Sequence, residues 1–261
     1  MMKRIISAAL TICLSFSLLC IGTGAASSSV KQETVQALGI LSEEADPTGR
    51  VTRAQFARML VAASAYKDSA EGYGSSLFQD LKGDHWASGY VRIAIEQGWM
   101  SGYVDGTFRP DQAVTLEEGC AALLKALGYD ASTLKGAYPS AQLSKASSIG
   151  LLDGVSASRG SKLTQQDCVH LFYNLLTAQT STGTVYGTSL GYSITNGQVD
   201  YSALVSANTK GPYVAENASL SLPFTPSTVY YNGAVSALKA VQKYDVYYYN
   251  ANLNTVWVYH D

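Results

Sequence analysis

Between about residue 30 and residue 178, apolar side chains return every three or four positions, the spacing of helices with one buried face. Phe56, Met59, Leu60 and Ala63 form one such stripe. Cys120, Leu123, Leu124 and Leu127 form a second, and Cys168, Leu171, Phe172 and Leu175 a third. After about Thr180 the pattern changes. Val246–Tyr249 and Thr255–Tyr259 are runs of β-branched and aromatic residues, which suit strands. Asn250–Asn254 between them carries turn chemistry, so the two runs predict a hairpin. Asn196-Gly197 and Asn232-Gly233 mark further tight turns. The chain thus reads as a helical half followed by a small barrel-like or sandwich-like β half. The Thr-, Ser- and Gly-rich stretch Thr177–Thr188 serves as linker or first loop.

The helical half repeats one order of events over residues 30–66, 78–129 and 138–178: a short amphipathic stretch, a glycine, a loop, a threonine and a longer amphipathic helix. The glycines are Gly39, Gly98 and Gly150; the threonines are Thr52, Thr115 and Thr164. Thr52 with Gln55 and Thr115 with Glu118 fit a capping box, in which the threonine oxygen and the acid or amide three residues on satisfy each other's backbone N–H. Thr164 with Asp167 is a shortened version. No repeat of this length buries enough surface alone, so the three are expected to pack together.

Composition narrows the setting. Lys3 and Arg4, the apolar run Ile5–Ile21 and the small residues Gly22–Ser29 read as an export signal over residues 1–26, cleaved after Ala25 or Ala26. A lipidated Cys20 is the competing reading, although Leu19 stands where a small residue is required. Cleavage takes the formal charge from −2 to −4, which gives no electrostatic reason to bind nucleic acid or anionic lipid. No membrane span is expected in the mature chain. Cys120 and Cys168 both fall in apolar stripes and read as buried thiols, though an exported chain could pair them. No catalytic or metal motif stands out: His85, His170 and His260 are scattered, and no CxxC, HExxH, phosphate-binding loop or nucleophile elbow occurs. Beyond Thr180 the acids are Asp200, Glu216, Asp245 and Asp261, without the motif of a glycosidase pair. No cofactor is expected and the chain reads as a non-enzyme.

The middle repeat carries the most specific text. It reads Phe78-Gln79-Asp80, Asp84-His85-Trp86-Ala87, Ala94, Gly98, then Gly102-Tyr103-Val104-Asp105-Gly106-Thr107-Phe108-Arg109-Pro110, Thr115 and Leu127-Gly128. This resembles the S-layer homology repeat throughout. Val51-Thr52-Arg53-Ala54-Gln55-Phe56 resembles that family's Thr-Arg-Ala-Glu signature. The third repeat is worn, keeping Gly150, Leu152, Gly154 and Thr164 but lacking the Phe-x-Asp start, the tryptophan and the arginine. The resemblance covers the helical half and implies an all-α pseudo-threefold domain of three repeats over residues 27–178; with the signal peptide before it and a small all-β domain of unknown role over residues 179–261, to which the resemblance does not extend, the chain reads as α + β. The resemblance implies a secreted protein at the cell surface, held non-covalently to the cell wall. The implied partner is secondary cell-wall polysaccharide or another peptidoglycan-linked glycan, often pyruvylated, seated in grooves between repeats. Its implied glycan-binding residues are Thr52, Arg53, Asp80, Trp86 and Gly106. Leu116 and Gln165 replace the signature arginine in the other two repeats, so those grooves are expected to be weak.

Each of these residues also has a local reading. Arg53, on the first residue of a capped helix, opposes the macrodipole, yet free N–H groups beside a guanidinium make a carboxylate pocket. It could equally pair with Glu43, Glu44 or Asp46. Trp86 fits a core position, with Tyr90 and Ile93 following at helical spacing, as well as a stacking platform. Asp80 fits a turn cap and Gly106 a tight Asp-Gly turn. The alternatives to wall anchoring are a wall-held carbohydrate-active enzyme in the β half, and a structural surface protein whose repeats no longer bind glycan.

Overall fold

The computed structural model describes residues 26–41, 46–70 and 77–260, which form two compact units, residues 26–199 and 200–261. The expected signal segment with Cys13 and Cys20 lies outside the described residues.

The first unit is built from α1 (Ser28–Ala37), α2 (Arg53–Ala62), α3 (Ser88–Glu96), α4 (Leu116–Ala126), α5 (Ser140–Ser148) and α6 (Gln165–Thr177). Helices this short are marginal alone, so their ends and their packing decide them. Thr52, Thr115 and Thr164 cap α2, α4 and α6 with complete capping boxes. Asp167 is long enough for its box after all. Its Oδ2 accepts from the Thr164 N–H and hydroxyl, while Oδ1 accepts from the Ser156 and Ala157 N–H groups. The repeated glycines end the short helices: Gly39, Gly98 and Gly150 adopt φ of 69°, 70° and 78°, conformations costly for other residues.

The short helix of each repeat packs on the long helix of another. α3 lies on α2, α5 on α4, and α1 on α6, which joins the first repeat to the last. Before the long helices, three strand-like segments bond in a ring. Val51 N–H donates to Leu163 C=O (3.0 Å), Leu163 N–H to Val114 C=O (2.9 Å), and Val114 N–H to Val51 C=O (3.0 Å). Phe56 and Phe172 meet at the core with centroids 5.3 Å apart. Gly119 admits this packing, because a Cβ there would lie 2.8 Å from Leu163 Cδ1. Cys120 and Cys168 are buried free thiols, and desolvation pushes Cys120 up to about 12.

Of the two readings of the Thr-, Ser- and Gly-rich stretch, the loop is the one present: a turn closed by Thr180 N–H to Thr184 C=O (2.8 Å), followed by α7 (Tyr186–Ser189) packed on α6. β1 (Ile194–Thr195) and β2 (Gln198–Val199) pair across Asn196-Gly197, whose φ of 52° and 73° match the expected tight hairpin turn.

The second unit opens with α8 (Tyr201–Asn208), capped by Asp200, so it is not wholly β. It continues with β3 (Lys210–Val214), β4 (Thr228–Tyr231), β5 (Ala234–Val235), β6 (Val246–Asn250) and β7 (Thr255–Tyr259). The expected β6–β7 hairpin is present, and β4 and β5 meet at Asn232-Gly233. The sheet is neither barrel nor sandwich. It is one open sheet ordered β3-β6-β7-β4-β5, with β4 parallel to β7. A second sheet is unnecessary because the connection after β3 covers one face: Leu220, Leu222 and Phe224 pack against Val229, Tyr247, Tyr249, Val256 and Val258. The Tyr247 hydroxyl pins that cover by bonding both Ser221 N–H and C=O. Among the described residues, no helix is long and apolar enough to cross a membrane.

Candidate functional site

Arg53 stands on the first turn of α2, where the first and second repeats meet. Its backbone N–H donates to Gln112 C=O (2.8 Å), that of Ala54 to Pro110 C=O (3.0 Å), and that of Gln55 to the Thr52 hydroxyl (3.2 Å). The helix start therefore keeps no free N–H for a carboxylate at these three positions, contrary to the expectation. Ring-to-loop bonding has used them, and Thr52 is committed as the cap.

The guanidinium itself is turned inward. Arg53 is 5% exposed. Nε donates to Phe108 C=O (2.8 Å), Nη2 donates to Ser101 C=O (2.7 Å), and Nη1 lies 3.7 Å from Glu118 Oε1. The Tyr103 and Phe108 rings lie within 4.9 Å and 4.6 Å of its central carbon. Its acidic partner is thus the capping glutamate of the next repeat. Asp46 instead accepts from the Thr48 N–H and hydroxyl, and Glu43 and Glu44 lie outside the described residues.

Asp80 and Gly106 shape the loop that Arg53 grips. The Asp80 carboxylate accepts from Phe108 N–H (2.8 Å) and Arg109 N–H (2.7 Å). Gly106, at φ 78°, closes the expected turn with its N–H on Tyr103 C=O (3.0 Å). Hydrogen bonds from Thr107 and then Arg109 hold the Asp105 carboxyl down at about 2. Arg109 also stacks 3.8 Å from the Tyr103 centroid. The Arg53 and Asp80 side chains therefore both bond to the backbone of the loop whose turn Gly106 closes.

Trp86 is not a core residue. It is 45% exposed, beside His85 and Tyr90 at centroid distances of 5.5 Å and 6.5 Å. Nor does it line the groove at Arg53. That groove, about 240 Å³, is walled by the 99–103 segment, by Glu118, Ala121 and Lys125 of α4, and by Tyr138. Trp99, Tyr103, Glu118, Lys125 and Tyr138 are the residues that sequence reading missed as site residues. Tyr103 and Glu118 sat inside motifs already noted. Lys125 and Tyr138 carried no local signal, since only the docking of α5 on α4 accompanies their meeting. Burial, then Glu118 and Glu117, push the Tyr138 phenol up.

Residues 77–118, which supply Asp80, the gripped loop and Glu118, match the S-layer homology domain, so this segment of the chain is one. The Middle cell wall protein of Brevibacillus brevis is 29% identical over 146 residues, 56% of this chain and 14% of that protein. The Surface layer protein of Brevibacillus choshinensis is 29% identical over 107 residues, 41% of this chain and 10% of that protein. A Cellulosome-anchoring protein of Acetivibrio thermocellus is 37% identical over 73 residues, 28% of this chain and 16% of that protein. The chain thus spans well under a quarter of the length of these relatives.

Proposed function

We propose that the chain is a non-enzymatic cell-wall anchor of a secreted surface protein, with the Arg53 groove as its glycan site. The observation that carries this reading is the groove itself, formed largely by the S-layer homology segment and lined by two cations, Arg53 and Lys125, together with Trp99, Tyr103 and Tyr138. Aromatic faces pack against sugar rings. A lysine ammonium at the rim pairs with a carboxylate such as that of a pyruvyl ketal. Secondary cell-wall polysaccharide carrying pyruvylated sugar is the ligand this chemistry fits. In this reading Arg53 shapes the groove wall and offers Nη1, Asp80 and Gly106 hold the loop, and Thr52 holds the helix start. Trp86 supplies an outer stacking surface. The cross-repeat helix pairs and the hydrogen-bonded ring support a pseudo-threefold domain of three repeats, with the second unit as its cargo or a surface module. One observation favours the rival reading of a scaffold that binds no glycan: Arg53 is buried, with Nε and Nη2 already bonded to loop carbonyls and Nη1 facing Glu118.

Lys125→Ala and Tyr138→Ala separate the two. Both residues are exposed, so neither change should alter folding by more than about 0.5 kcal/mol. Each should weaken retention on purified walls by about tenfold, the value of one charge-assisted contact or stacking contact. Unchanged retention in both would favour the scaffold.

A further inference from the structure

The counterpart of the Arg53 groove one repeat further on is filled from within. Counting from the capping threonines, Leu116 takes the place of Arg53; counting from the helix-ending glycines Gly98 and Gly150, Leu151–Val155 takes that of Trp99–Tyr103. Again from the threonines, Asp167, His170 and Asn174 take the places of Glu118, Ala121 and Lys125. In the Arg53 groove, the loop carbonyls of Ser101 and Phe108 are held by the arginine on one wall, which leaves the α4 wall open with only a methyl at Ala121. Leu116 cannot donate, and here the loop is drawn onto the opposite wall. Asn174 Nδ2 donates to Leu151 C=O (3.0 Å) and Asp153 C=O (2.9 Å), and Asp167 Oδ1 accepts from Ser156 and Ala157. The His170 imidazole presses on the loop at Gly154, where a Cβ would sit 2.7 Å from Nδ1. From α1, the buried Lys31 Nζ donates to Asn174 Oδ1 (2.8 Å) and lies 5.2 Å from the Tyr173 centroid, locking the arrangement.

We infer that this second groove is a sealed seam that takes no glycan, and that His170 and Asn174 are the residues that decide it. An imidazole where the open groove has a methyl removes the space a sugar ring needs. An asparagine where the open groove has an exposed lysine turns a ligand-facing cation into a loop staple. The inference rests on the glycan reading of the Arg53 groove, but part of its test does not.

The experiment is backbone hydrogen exchange of the full chain, with and without a pyruvylated hexosamine. Without ligand, the Ser156 and Ala157 amides should exchange slowly, and at least about tenfold faster in His170→Ala or Asn174→Ala. With ligand, protection should grow over residues 99–110 and stay unchanged over residues 151–157. Ligand protection over 151–157, or fast exchange there in the unliganded chain, overturns the inference. If the sugar protects neither loop, the anchoring proposal fails, while slow basal exchange released by the two variants still supports the seal. The converse change, Ala121→His with Lys125→Asn, should close the open groove and abolish protection over 99–110. Protection retained in a folded double variant would also overturn the inference.

Discussion

Replacing Arg53 by alanine should unfold the first unit more readily, whatever the unit binds. The side chain bridges Ser101 C=O and Phe108 C=O through two charge-assisted bonds from a residue 5% exposed. Truncation strands the buried Phe108 carbonyl and leaves that of the exposed Ser101 to water, with both charge-assisted bonds lost. At roughly 1.5–3 kcal/mol for each hydrogen bond to a charged group, the loss is about 3–5 kcal/mol. The Glu118 contact at 3.7 Å adds little, because Glu118 is partly exposed and remains paired with the Thr115 N–H. An arginine that merely faced solvent would change stability by about 0.5 kcal/mol or less. Urea unfolding followed by far-UV circular dichroism, which reports the helices, measures the difference. Arg53→Lys should recover less than half of it, since an ammonium on a flexible stem replaces a fork that spans two acceptors. A loss under about 1 kcal/mol in the alanine variant would refute the bridging argument. This result bears on every binding assay, because lost wall retention in Arg53→Ala could report a collapsed loop rather than a lost ligand contact.

Other outcomes follow from single sites. Trp86→Ala should cost under about 1 kcal/mol in urea unfolding, because nearly half of the side chain is already in water; a loss above about 3 kcal/mol would restore the core reading. Asn232→Ala should destabilise the second unit by about 1 kcal/mol in thermal unfolding, since it places an ordinary side chain at φ 48° in the β4–β5 turn; no change would mean the turn rearranges freely. His170 titrates below its ordinary value of 6.5, because of burial first and Lys31 second, with Asp167 opposing. The unfolded chain then binds this proton more readily than the folded one. Stability should fall as the pH drops from about 6.5 to the lowered folded value and level off below it, and His170→Gln should remove that component from unfolding curves measured between pH 7 and 5.

Local signals were legible in the sequence, and long-range ones were not. The capping threonines, the helix-ending glycines and the two Asn-Gly hairpins each rest on chemistry within a few residues, and the structure has them where the residues stand. The Arg53 contacts come from 48 and 55 residues away, so nothing near Arg53 could show that its guanidinium is enclosed or that its helix start is saturated. Trp86 has core-like spacing with Tyr90 and Ile93, yet α3, packed on α2, buries Val91, Ile93 and Ala94 while the tryptophan stays at the margin. The parallel pairing of β4 with β7 joins strands separated by β5 and β6, and no periodicity records which strands meet. Asp200 before Tyr201–Asn208 is a readable cap, but the strand-rich sequence around it masks the short helix.

The central claim, wall anchoring through a polysaccharide, is tested most directly by co-sedimenting the secreted chain with purified cell walls, native and stripped of secondary polysaccharide. An anchor of this kind sediments with native walls, sediments little with stripped walls, and sediments less with native walls as Lys125→Ala. Equal sedimentation with both, or with neither, would contradict the claim.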